Sequence, residues 1–130
     1  MMEAILREGL SALSLPTEGI PALTRYAGLL AEKNQVMNLT AITDPAGVAR
    51  LHFLDSAALL ALADLRGKRV VDVGTGAGFP GLPLKILEPS IRLTLLDAQR
   101  KRVDFLREVC EELGLEDVEC AHSRAEDFAG

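Results

Sequence analysis

Apolar residues recur at intervals of three and four through the first half of the chain, then switch to short unbroken runs separated by glycine. Ile5, Leu6, Leu10 and Leu13 share one face of a short first helix, which Pro16 ends. Pro21 opens a second helix with Leu23, Tyr26, Ala27 and Leu30 on its apolar stripe. Asn34-Gln35-Val36-Met37-Asn38-Leu39-Thr40 reads as a connector. Asp44-Pro45 places an N-cap acceptor before a proline at the first helical position, and Val48, Leu51, Leu54, Ala58 and Leu62 carry the third helix onward.

Past Gly67 the period changes. Arg69-Val70-Val71-Asp72-Val73 is a β-branched run followed by a glycine cluster, and Pro80 to about Leu87 is apolar and helical. Ile91 to Leu96 forms a second strand. Val103, Leu106, Cys110 and Leu113 mark a helix that Gly114 stops, and Val118 to Ala121 is a short third strand. Strands alternating with helices at this spacing predict right-handed crossovers and a parallel sheet. The expected architecture is α/β, with a helical region over 1–65 and an incomplete sheet domain over 66–130.

Composition supports a packed core: 48% of the 130 residues are hydrophobic and 25% charged. The longest uncharged apolar stretch, Ser56 to Ala63, is too short to span a bilayer, and the first residues lack the pattern of a secretory signal. Cys110 and Cys120 make neither a disulfide framework nor a zinc set, so two reduced thiols in a cytoplasmic protein are expected. A net charge of −5 argues against binding nucleic acid by bulk electrostatics, and the absence of Trp disfavours a stacking platform. A local basic patch remains compatible with both numbers.

The chemistry concentrates in Val70-Val71-Asp72-Val73-Gly74-Thr75-Gly76-Ala77-Gly78-Phe79-Pro80-Gly81. Glycines just past a strand let the backbone approach a ligand, and the following helix points N–H groups toward the same crevice. Asp97, at the end of the next strand, can accept hydrogen bonds from a ribose diol. Gly76 to Gly81 also fits G-x-G-x-x-G, the dinucleotide pattern, so an NAD-dependent oxidoreductase is the rival enzyme class. Against it, Asp72 stands two residues before the first glycine, where dinucleotide sites usually keep an apolar residue. A carboxylate there suits a cationic sulfonium cofactor, and no pyrophosphate needs neutralising.

The acid-led G-x-G-x-G resembles the first motif of S-adenosylmethionine-dependent methyltransferases. Asn38-Leu39-Thr40, His52-Phe53-Leu54-Asp55-Ser56 and Asp72 to Leu84 together resemble the bacterial small-subunit (16S) ribosomal RNA guanine-N7 methyltransferases of the RsmG/GidB type. Leu96-Asp97-Ala98, Lys101 to Leu106 and Ser123-Arg124-Ala125-Glu126 continue the likeness, and Gly78-Phe79-Pro80-Gly81-Leu82-Pro83-Leu84 is its discriminating part. The resemblance implies the first half of a Rossmann-like class I methyltransferase sheet. It implies that Gly74, Gly76, Gly78, Phe79 and Ala98 line S-adenosyl-L-methionine, that Asp97 holds its ribose, and that Ala125 and Glu126 meet its adenine end. For His52 and Asp55 it suggests RNA contact or bracing of the site. Arg100, Lys101 and Arg102, with Arg107 nearby, form the one dense basic cluster and are candidates for phosphate contact.

The family is considerably longer than this chain. The expectation is therefore a fragment ending after the third strand, with Val70 to Val73 left as an apolar sheet edge that invites self-association. A truncated nucleotide-binding module without turnover is the non-enzymatic alternative.

Overall fold

The structure is a computed structural model and describes residues 2–123. Helix α1 (Met2–Ala12) buries Leu6 and Leu10, and α2 (Ile20–Met37) buries Ile20, Leu23, Tyr26, Leu29 and Leu30. The three-four spacing makes each set a single stripe. α2 runs farther than the sequence suggests: Asn34 to Met37, expected in a connector, form its last turn. Asn38 stops it, with a left-handed backbone (φ 50°) and its N–H directed to the Asn34 carbonyl. Asparagine adopts this conformation more readily than other non-glycine residues, so the boundary falls there.

The third helix begins as a single turn, α3 (Pro45–Gly47), capped by an Asp44 Oδ2 that accepts the Gly47 N–H at 2.8 Å. It widens into a π-helical segment, Val48–Leu54, and continues as α4 (Asp55–Leu62). The wide turn shifts the phase of the helix. Val48, Ala49, Phe53 and Ala57 are buried, while Leu51 and Leu62, expected on the apolar face, are 56% and 83% exposed. A count at 3.6 residues per turn loses register across i→i+5 hydrogen bonding.

The second half follows the predicted order: β1 (Arg69–Val73), α5 (Gly81–Leu87), β2 (Arg92–Asp97), α6 (Arg100–Leu113) and β3 (Val118–His122). The strands pair in parallel as β1-β2-β3, and α6 closes at Gly114 (φ 65°). Register aligns Val70 with Leu93 and Val118, and Asp72 with Leu95 and Cys120. These rows face α5 and α6. Arg69, Val71, Arg92, Thr94 and Glu119 face the other way, onto a shallow depression of about 400 Å³. Among the described residues, helices cover the first face only. β1 is an edge strand, with Val71 and Val73 45% and 56% exposed.

α2 and α4 pack on the outer side of α5, and α2 also meets α6. One core therefore runs continuously from Leu6 through Tyr26 and Phe53 to Leu95 and Val109. Within it Lys85 of α5 is 3% exposed, and its Nζ donates to the Pro89 and Ile91 carbonyls, both at 2.6 Å. That charge is satisfied by the turn leading into β2.

Candidate functional site

The chain leaves β1 in a tight bend held against the end of β2. The Gly74 and Thr75 N–H groups both donate to the Leu96 carbonyl, at 2.9 and 3.1 Å. Asp97 lies beneath the bend, 4% exposed. Its Oδ2 accepts the Gly76 N–H and its Oδ1 the Gln99 N–H, each at 2.9 Å. The carboxylate thus ties the glycine bend to the start of α6. An ionised carboxylate offers about four lone-pair sites, so Asp97 keeps acceptor capacity beyond these two bonds. Arg102 Nη1 stands 3.8 Å from Asp97 Oδ2.

Gly76 and Gly78 answer opposite needs. Both have positive φ, 60° and 108°. A Cβ built on Gly76 meets nothing within 4 Å, so this backbone borders open space. A Cβ on Gly78 would lie 2.4 Å from Tyr26 Oη and 2.7 Å from Leu82 Cδ1. The sequence groups Gly78 with the lining glycines, whereas its Cα is pressed against the packed interior. Gly74, like Gly76, has open space where a Cβ would stand.

Asp72 braces the bend from the other side. Its Oδ2 accepts the Thr75 hydroxyl at 2.8 Å and the Gly81 N–H at 2.9 Å. Burial pushes its carboxyl up from the ordinary value; the two hydrogen bonds pull it down, and the charge of Asp97 adds to the rise.

Phe79 joins the bend to the helices. Its ring stacks on the His52 imidazole (centroids 4.1 Å apart, planes at 13°) and meets the Phe53 ring edge-on at 6.0 Å. His52 Nε2 lies 2.9 Å from Thr40 Oγ1, and the Thr40 N–H donates to Asn34 Oδ1 at 2.8 Å. Burial lowers the His52 pKa, against a smaller opposing pull from Asp55. His52, Asp55, Phe79 and Pro80 border one open depression of about 270 Å³.

Arg100, Lys101 and Arg102 occupy the first turn of α6, immediately beyond Asp97. The macrodipole makes cations unfavourable in that turn; Arg100 and Lys101 are exposed there. Arg107 is turned away, its Nη2 donating to the Cys120 carbonyl at 2.9 Å. The Ala98 carbonyl faces His122 Nε2 at 3.0 Å. Ala125 and Glu126 lie outside the described residues.

One participant escapes sequence reasoning. Tyr26, fully buried in α2, donates its hydroxyl to the Ala77 carbonyl in the middle of the bend. The available signal was a phenol on an otherwise apolar stripe, since a buried hydroxyl usually finds a partner. A hollow of about 640 Å³ between α2 and the 40–48 segment is lined without a single charged residue and lies away from Asp97. Among the described residues no group of three His, Cys, Asp or Glu is placed to hold a metal, and no helix is long and apolar enough to cross a membrane.

Parallel strands whose carboxyl ends carry a glycine bend over an acid on the neighbouring strand define an α/β unit of the Rossmann-like methyltransferase type. The chain belongs to the GidB family, rRNA small subunit methyltransferase G, whose sequence model matches residues 19–129. It is 50% identical over 117 residues to the ribosomal RNA small subunit methyltransferase G of Desulfitobacterium hafniense, covering 90% of this chain and 48% of that protein. It is 48% identical over 126 residues to the protein of the same name from Alkaliphilus metalliredigens, covering 95% and 53% respectively. The chain thus spans about half the length of the curated relatives it matches.

Proposed function

We propose that this chain forms the donor-binding part of an S-adenosyl-L-methionine-dependent methyltransferase that modifies guanine N7 in small-subunit ribosomal RNA. The observation that carries the reading is the pairing of Asp97 with the Gly76 amide beneath a glycine backbone that borders open space. The residues fit the cofactor. Gly74 and Gly76 leave room for close backbone approach, Asp97 retains acceptor sites for a ribose diol, and Asp72 supplies negative charge beside the bend. Bound there, S-adenosylmethionine supplies an electrophilic methyl group on a cationic sulfur.

The work left to the protein is binding and alignment. Guanine N7 carries a free lone pair, so its alkylation needs no proton removed, and positioning accounts for the rate. Asp97 would orient the ribose, and Phe79, held by His52, would wall the crevice next to the acceptor's entrance. Arg100 and Lys101, placed where the helix dipole disfavours them, are the candidates for RNA phosphate. The depression beside His52 and Asp55 would receive the target base, presented from an exposed RNA segment rather than a closed duplex.

Calorimetric titration tests the cofactor reading. S-adenosylhomocysteine should bind one to one and raise the melting temperature while NADH does neither; the reverse order would move the chain to the oxidoreductases. Incubation with labelled donor and small-subunit RNA, followed by mapping of the product, tests the acceptor. Label on a ring carbon or an exocyclic amine would overturn the base-free account, and binding without label transfer would leave a cofactor-binding module.

A further inference from the structure

The bend between β1 and α5 holds Gly74, Gly76 and Gly78 within five residues, a composition that favours many backbone states over one. Asp97 fixes the Gly76 end and Asp72 the Gly81 end. Between them, the Ala77 carbonyl is fixed by Tyr26. This phenol comes from a helix fifty-one positions earlier in the chain, has 0% exposure, and is packed on Phe53 with ring centroids 5.5 Å apart. Burial holds the phenol in its protonated, donating form. Gly78 closes around the same oxygen, leaving no room for a side chain.

We propose that Tyr26 is a positioning residue for the cofactor bend: its hydroxyl fixes the Ala77 carbonyl and so selects the one backbone arrangement in which Gly74 and Gly76 border the crevice. The proposal rests on the cofactor reading given above for its functional meaning, but the anchoring itself is a property of the ligand-free chain. A loop that is competent only part of the time binds with an apparent affinity reduced by that fraction. Losing the hydroxyl leaves a buried carbonyl unpartnered, which is enough to lower the competent fraction roughly tenfold.

The test is Tyr26→Phe in the whole chain, with Phe53→Leu as a control that loosens the same ring cluster and leaves the hydroxyl in place. Hydrogen exchange without ligand should show the Gly78 and Leu82 amides, which donate to Thr75 and Gly78, exchanging roughly tenfold faster in Tyr26→Phe. Leu93 and Leu95 amides should keep their rates. S-adenosylhomocysteine should bind Tyr26→Phe roughly tenfold more weakly, and Phe53→Leu within about threefold of the parent at a temperature where all three are folded. Unchanged bend amides, or equal affinity losses in the two variants, would overturn the anchoring role. If the parent chain binds no S-adenosylhomocysteine while the exchange contrast persists, the cofactor reading falls and the anchor stands.

Discussion

Replacing Gly78 and Gly76 separately by alanine puts the account of the bend at risk. Both residues have positive φ, so any side chain meets backbone strain at either position. At Gly76 that strain is nearly the whole cost, about 1–2 kcal/mol, because the new methyl projects into empty space. At Gly78 the strain is joined by overlap: the Cβ would fall 2.4 Å from Tyr26 Oη, 2.7 Å from Leu82 Cδ1 and 3.2 Å from Leu106 Cδ2. None of these can swing into solvent, since all three residues are fully buried. Moving Tyr26 would also break its bond to Ala77. Strain of about 1–3 kcal/mol and overpacking of about 1–3 kcal/mol sum to roughly 2–6 kcal/mol. At about 4 °C per kcal/mol for a chain of this size, Gly78→Ala should lose roughly 8–24 °C of melting temperature and Gly76→Ala roughly 4–8 °C.

Binding reports on Gly76 directly. Gly76→Ala keeps the fold and fills the space the ligand's approach requires, so S-adenosylhomocysteine affinity should fall by at least about tenfold, the loss of roughly 1.4 kcal/mol. Thermal melts and titration calorimetry on the same samples give both numbers. Should Gly78→Ala prove no less stable than Gly76→Ala, the inward packing of Gly78 is wrong. Should Gly76→Ala bind normally, the crevice does not run past that glycine.

Other predictions follow from the neighbouring groups. Asp72→Asn keeps an acceptor for Thr75 and Gly81 while removing a charge that burial already disfavours. Stability near neutral pH should hold or rise, and S-adenosylmethionine should lose about fivefold more affinity than S-adenosylhomocysteine, whose sulfur is neutral, roughly 1 kcal/mol of lost attraction to the sulfonium; equal losses would refute a pairing of this carboxylate with the sulfonium. His52 has a folded pKa below its unfolded value, so between the two the unfolded chain takes up a proton the folded chain refuses. Its contribution is complete above the ordinary value of 6.5 and is lost as pH falls through the lowered folded pKa. His52→Phe, which preserves a ring against Phe79, should flatten part of the stability decline between about pH 7 and 5; an unaltered profile would show that the imidazole is not the titrating group. Lys85→Met strips two buried carbonyls of their donor and should cost about 2–4 kcal/mol in urea melts, a loss below about 1 kcal/mol contradicting the structural role assigned to the ammonium.

The second half of the chain was legible because its signals are local and agree with one another. The β-branched run at Val70-Val71 marks a strand, the glycine cluster marks its end and Gly114 stops a helix, and the parallel order follows from the alternation of strands and helices. The first half was less legible. Asn34 to Met37 mix good helix formers (Gln35, Met37) with weaker ones (Asn34, Val36) and hold no breaker, so the end of α2 was set by the left-handed turn at Asn38 rather than by composition. Leu51 and Leu62 were placed on the wrong face because nothing in the residue types announces a π turn. In the site, Asp97 and Gly76 were found by spacing, but the direction in which Gly78 faces and the partner of Tyr26 depend on contacts between residues more than fifty positions apart. Ala125 and Glu126 fall outside the described residues.

The π-helical stretch makes chain length between Asp44 and Asp55 a structural parameter in its own right. The wide stretch takes up about one residue more than α geometry would need, so removing one there lets the helix tighten with its two ends nearly in phase. Removing a second would rotate everything before the deletion by about 100° relative to everything after it. After that second removal the composition would barely change and the apolar content would still pack, yet either Ala49 or Phe53 would leave the interior and the imidazole would no longer stand behind Phe79. Spacing there, more than residue identity, couples the amino-terminal helices to the crevice.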